Sequence, residues 1–132
     1  MVRSVLTSSV VIEVLSDRPV SLNIPWANKK RISVDVLGRY KGQMVVVEYD
    51  GSYYHSPGEV IAKDHAKTLA LLDAGYMVVR LRENKLPLLE IAHPRLMQTS
   101  FRYRDSISEG LTAAKLRPVL RWIQDSAREN AA

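Results

Sequence analysis

Between residues 43 and 82 the sequence runs Gln-Met-Val-Val-Val-Glu-Tyr-Asp, a loop, a helical stretch and then Met-Val-Val-Arg-Leu-Arg. This order constrains the fold more than any other feature. Residues 43–50 are β-branched and apolar enough for a strand, and 32–37, Ile-Ser-Val-Asp-Val-Leu, alternate as a second one. Gly38 to Gly42 lies between them as a basic turn, so the pair reads as an antiparallel hairpin. The run from Gly51 to Gly58 is a loop rich in turn formers and tyrosine. From Glu59 to Ala74, the residues Ile61, Ala62, Ala66, Leu69 and Leu72 recur mainly at helical spacings, and Gly75 stands where a helix ends on a left-handed residue. Residues 76–82 then form a third strand. Hairpin, helix and strand in this order predict an α/β architecture, a mixed β-sheet flanked by helices.

The flanks are less defined. Residues 5–16 suit either a valine-rich strand or a short helix capped by Ser8 or Ser9. Beyond Pro87 the pattern weakens until 106–128, which reads as helical with Pro118 either kinking the helix or starting a new one. Leu116, Val119, Leu120, Trp122 and Ile123 would pack this helix onto the sheet or onto a partner subunit, so a homo-oligomer through the C-terminal helix is also expected. The 132 residues suit one domain, with a core at about 30–88 and a helical extension at about 89–132. The absence of cysteine excludes thiolate zinc sites, iron–sulfur clusters and thiol catalysis. The apolar run near the amino terminus is interrupted by Glu13 and falls short of the ~18 residues of a membrane span, so a cytoplasmic protein with no membrane partner is expected. A net charge of +5 suits a polyanion such as nucleic acid.

Strand side chains alternate, so Glu48 and Asp50 project from one face and Val45, Val47 and Tyr49 from the other. Two like charges ending an apolar strand repel and resist ionisation. A divalent cation removes that cost. Asp35, on the partner strand, can be brought beside Glu48 by the hairpin turn. Asp35, Glu48 and Asp50 therefore read as a ligand set for magnesium, or manganese, which keeps several waters and couples to phosphate chemistry. The plainer alternative is a group of solvated charges at strand ends. His55 follows on the loop leaving the acidic strand and is a candidate for proton transfer. Asp64 and Lys67 are one helical turn apart, a spacing that also suits an exposed ion pair.

The stretch from Val45 through Glu48-Tyr49-Asp50-Gly51 to His55, then Asp64-His65-Ala66-Lys67-Thr68, then Leu71 to Arg82 with Ala74-Gly75-Tyr76, resembles the very short patch repair endonuclease branch of the PD-(D/E)XK superfamily. The resemblance spans roughly residues 30–88. It implies a restriction-endonuclease-like core and a magnesium-dependent DNA endonuclease in which Asp35 and Glu48 bind the catalytic metal and Asp50 and His55 complete the site. Glu13 is a poor match to a glutamate that some branches add from an early helix, and Asp64 is a further possible member. The superfamily's usual lysine is replaced here by Asp50, which leaves water activation to His55 or to Lys63 or Lys67 reaching in from the helix, with the histidine preferred over Lys67. Two rival readings are a catalytically inactive nucleic-acid-binding module, disabled by Asp50, and a subunit of a larger DNA-processing complex.

Basic residues flank the acidic strands. Lys29, Lys30 and Arg31 precede the first, and Arg80, Arg82 and Lys85 leave the last, as phosphate contacts would require. Trp26, Tyr53 and Tyr54 are candidates for base stacking or for the core. Residues 95–104, with three arginines and two aromatics, suggest a second nucleic-acid contact.

Overall fold

The computed structural model describes residues 13–16, 18–51, 57–83, 86–101 and 113–130. In chain order its elements are strands β1 (Glu13–Ser16), β2 (Val20–Leu22), β3 (Ile32–Val34), β4 (Val36–Tyr40) and β5 (Gln43–Asp50), helix α1 (Pro57–Asp73), strands β6 (Met77–Glu83) and β7 (Leu96–Phe101), and helix α2 (Ala113–Asn130). Five strands form one mixed sheet in the order β1-β4-β5-β6-β7, and β2 pairs with β3 in a separate ribbon. β1, β4 and β5 run antiparallel, whereas β6 and β7 lie parallel to β5. The parallel step from β5 to β6 requires a crossover, and α1 supplies it. All seven residues of β6 are buried, as in a central parallel strand covered on both faces.

The expected hairpin is present, but its turn is tighter than 38–42. Tyr40 pairs with Gln43, leaving only Lys41 and Gly42 between them, at φ values of 47° and 82°. Positive φ at both positions matches the strand twist and lets β4 run on to Tyr40. The stretch read as one strand over 32–37 is two strands, broken by a bend at Asp35. Ile32, Val34 and Leu37 all enter the same core, so the alternation slips by one residue at Asp35 and the chain passes there from the ribbon to the main sheet.

Each face of the sheet has its own core. Val45, Val47, Met77, Val79 and Leu81 meet Val119, Leu120 and Ile123 of α2 on one face. On the other, Val46 and Val78 pack with Leu71 and Leu72 of α1 and with Trp26, Ile32 and Val34 of the ribbon. The apolar face assigned to α1 needs correction, since Ala62 is exposed and Leu69 is 40% exposed. The helix instead buries Thr68, Leu71 and Leu72 and ends at Gly75, φ 94°. Arg95 closes that end by donating from Nη2 to the Leu72 carbonyl at 2.6 Å. Residues 96–101 are strand β7, so a second nucleic-acid contact over 95–104 finds Arg95 occupied with helix capping, and 102–104 lie outside the described residues. Pro118 lies inside α2 and starts no new helix there. Among the described residues, no helix is long and apolar enough to cross a membrane.

Candidate functional site

Parallel pairing places Glu48 beside Arg80 and Asp50 beside Arg82. Residues paired in this way share a face, so the α1 side of the sheet changes character along β5 and β6. It begins with Val46 and Val78 and ends with two acids and two arginines. Lys67, Asp64 and Thr68 of α1 cover this charged half.

Asp35 and Glu48 are interlocked. The Asp35 amide donates to Glu48 Oε1 at 2.9 Å, and the Tyr49 amide donates to Asp35 Oδ2 at 2.9 Å. Lys67 Nζ donates to Glu48 Oε2 at 2.8 Å, with side chains 15% and 5% exposed. Burial raises the Glu48 pKa above its ordinary value against the pull of Lys67, with the charge on Asp35 adding to the rise and Arg80 opposing it. These groups line a cleft of about 270 Å³ that also takes in Gly51, Val60, Lys63 and Asp64.

Asp50 is paired with two arginines. Its Oδ1 accepts from Arg80 at 2.8 Å and its Oδ2 from Arg82 at 2.9 Å, so both oxygens are held by guanidinium groups. Glu48 is likewise held at both oxygens, but by an amide and a single lysine, and Asp35 accepts at Oδ2 from the Tyr49 amide. Arg80 and Arg82 are fully buried, which removes them from direct contact with a phosphate backbone. Asp64 forms no surface pair with Lys67. It accepts from Arg82 at 3.0 Å, while Lys67 turns to Glu48. The inward arginines were legible in principle, because they continue the phase of Val78 on a strand that is otherwise apolar up to its last residue, Glu83. Thr68, which bonds Arg80 Nε at 2.6 Å, gave no such signal.

The remaining candidates fall elsewhere. Glu13 is exposed on edge strand β1 and pairs with Arg39 at 2.9 Å, away from the cleft. Lys29, Lys30 and Arg31 are exposed on the ribbon just before Asp35. Arg31 is tied to Ser21 and Asn23, and Lys29 lies 5.2 Å above the ring of Trp26, which is itself core. His55, Tyr53, Tyr54 and Lys85 lie outside the described residues. Among the described residues, no three or more His, Asp or Glu side chains are grouped to hold a metal. A larger hollow of about 410 Å³, on α2 between Arg117, Arg121, Trp122 and Asp125, contains one carboxylate. No family model matches this chain, and no curated protein shows significant similarity to it.

Proposed function

We propose that the chain is a divalent-metal-dependent endonuclease acting on DNA, with a restriction-endonuclease-like core. The observation that carries this reading is the set of Asp35, Glu48 and Lys67 in one cleft. Each of the two carboxylates accepts from a backbone amide on the other's segment, and a lysine from the crossover helix reaches the more buried of them.

The residues fit a magnesium or manganese ion, because magnesium uses only one or two protein carboxylates and takes its other ligands from water and substrate phosphate. The four acids at the site, Asp35, Glu48, Asp50 and Asp64, are matched in number by Lys63, Lys67, Arg80 and Arg82, but Asp35 has no cationic partner among the described residues. Asp35 and Glu48 would hold the ion, which supplies Lewis-acid stabilisation of charge on the phosphoryl oxygens. Lys67 fixes the orientation of Glu48 and would supply a positive charge beside the acids, a role that Asp50 cannot fill. His55 is the further group for moving a proton at neutral pH. Lys63 is an exposed cation on the lining of the cleft, and Lys29 and Lys30 are exposed in the turn before β3; all three are suited to backbone phosphates.

The test is nicking of supercoiled plasmid in magnesium or manganese, with melting curves in the same buffers. The cation is expected to raise the melting temperature, since a ligand bound only by the folded state stabilises it. Asp35→Ala is expected to lose both that shift and cleavage while remaining folded. Full cleavage by this variant would refute the assignment. DNA binding without cleavage by the parent would favour the rival module, in which Asp50 is committed to structure.

A further inference from the structure

Four contacts converge on one turn of α1. Thr68 Oγ1 donates to the Asp64 carbonyl at 2.6 Å and accepts from Arg80 Nε at 2.6 Å. Arg80 Nη2 reaches the same carbonyl at 3.4 Å, and Arg82 Nη1 donates to the Asp64 carboxylate at 3.0 Å. The two guanidinium groups are fixed from the sheet side by Asp50, and Arg82 also donates from Nε to the Pro87 carbonyl at 2.8 Å. Lys67 lies within that gripped turn, between Asp64 and Thr68, and its Nζ is 2.8 Å from Glu48.

We infer that the cluster of Asp50, Arg80, Arg82, Asp64 and Thr68 is a positioning latch that sets the rotation and height of α1 so that Lys67 meets Glu48. Asp64 and Thr68 are positioning residues that act through Lys67. The apolar contacts of Leu71 and Leu72 hold only the C-terminal half of the helix to the sheet. At the other end Glu59, Ala62 and Lys63 are exposed, and Val60 and Ile61 are half-buried but belong to neither core cluster. A slip of one residue would turn Lys67 by about 100° and carry it off Glu48. Apolar packing is non-directional and tolerates small rotations, whereas charged hydrogen bonds are directional. Lysine also loses rotamer freedom when fixed, so its helix must be placed accurately for the contact to persist. Buried ion clusters add little net stability over apolar packing, which leaves geometry as what this one supplies.

The activity arm of the test rests on the nuclease reading, and the spectroscopic arm does not. Thr68→Val keeps the shape of the side chain and removes both hydrogen bonds, whereas Thr68→Ser keeps the hydroxyl. In metal-free protein, the Lys67 ammonium held by Glu48 is expected to give a slowly exchanging 1H–15N signal, assigned by its absence in Lys67→Ala. The signal is expected to survive in Thr68→Ser and vanish in Thr68→Val. In magnesium, Thr68→Val is expected to lower kcat by about 10- to 100-fold with KM for DNA unchanged. Against the residual rate of Lys67→Ala it is expected to cost nothing further, because both act through one contact. A signal that persists in Thr68→Val, or rate losses that multiply, would overturn the latch. Should the parent not cleave DNA, the nuclease reading falls and the ammonium signal alone decides. Melting curves establish folding first, and if Thr68→Val is unfolded, Asp64→Asn must produce the same loss of signal.

Discussion

The two faces of the central sheet are built from the same two strands and differ in kind. On the α2 face, β5 and β6 present Val45, Val47, Met77, Val79 and Leu81, all buried against aliphatic side chains. On the α1 face, the alternate residues begin as Val46 and Val78 and become Glu48, Asp50, Arg80 and Arg82, equally buried. Burial is therefore no guide to what a residue does here. The first face gains from leaving water, at about 1.5–3 kcal/mol per large aliphatic side chain. The charged half of the second loses hydration and recovers it only through pairing. It is structure maintained for a geometry.

Breaking a pair should expose that difference most strongly. Asp50→Ala leaves two buried guanidinium groups short of their shared partner and is expected to cost about 3–5 kcal/mol, read as a fall in the urea midpoint. A loss below about 1 kcal/mol would mean that water already reaches the cluster. On the opposite face, Ile123→Ala is expected to cost about 2–5 kcal/mol by cavity formation, with cleavage per folded molecule unchanged. If it also slowed cleavage, the two faces would be coupled.

Glu48 should behave in the reverse sense. Its raised pKa means that the folded state holds the proton more tightly than the unfolded chain. Its contribution is thus fully present below the unfolded value of about 4.3 and is lost as pH rises through the folded pKa. In chelator, Glu48→Gln is expected to flatten that decline and to raise the melting temperature at neutral pH by about 2–4 °C, while abolishing cleavage. A lower melting temperature would mean that the bond to Lys67 outweighs burial.

The smallest effects belong to the exposed cations. Lys63→Ala and Lys30→Ala are each expected to lower the dependence of log affinity for duplex DNA on log salt by about 0.9. Any variant of Arg80 or Arg82 that folds is expected to leave it unchanged. An unaltered slope in both lysine variants would direct the search for phosphate contacts away from this edge.

The segments with strong periodicity were legible in the sequence: the hairpin, the crossover helix and the strand after it. The meeting of Asp35 with Glu48 was legible as a consequence of hairpin pairing, although the register that produces it comes from the two-residue turn at Lys41 and Gly42 and not from a turn over 38–42. The break at Asp35 was hidden, since Ile-Ser-Val-Asp-Val-Leu alternates smoothly and contains no glycine or proline to mark a bend. Strand β7 was missed because Leu-Met-Gln-Thr-Ser-Phe on a sheet edge has weak contrast between its faces. The fate of Asp50 depended on partners 30 and 32 residues away. Strand phase fixes the face on which such residues lie, but which charges meet there depends on the parallel register.

The two-residue turn at Lys41 and Gly42 also gives the site an order of assembly. The contact between Asp35 and Glu48 closes a separation of 13 residues, that from Lys67 to Glu48 one of 19, and those from Asp50 to the arginines 30 and 32. Hairpins form in about 1–10 μs, ahead of contacts that must wait for a crossover. The two acids are thus expected to meet before any cation arrives to offset them. That order predicts a moment of uncompensated repulsion during folding, and an early phase that quickens in mild acid or added salt.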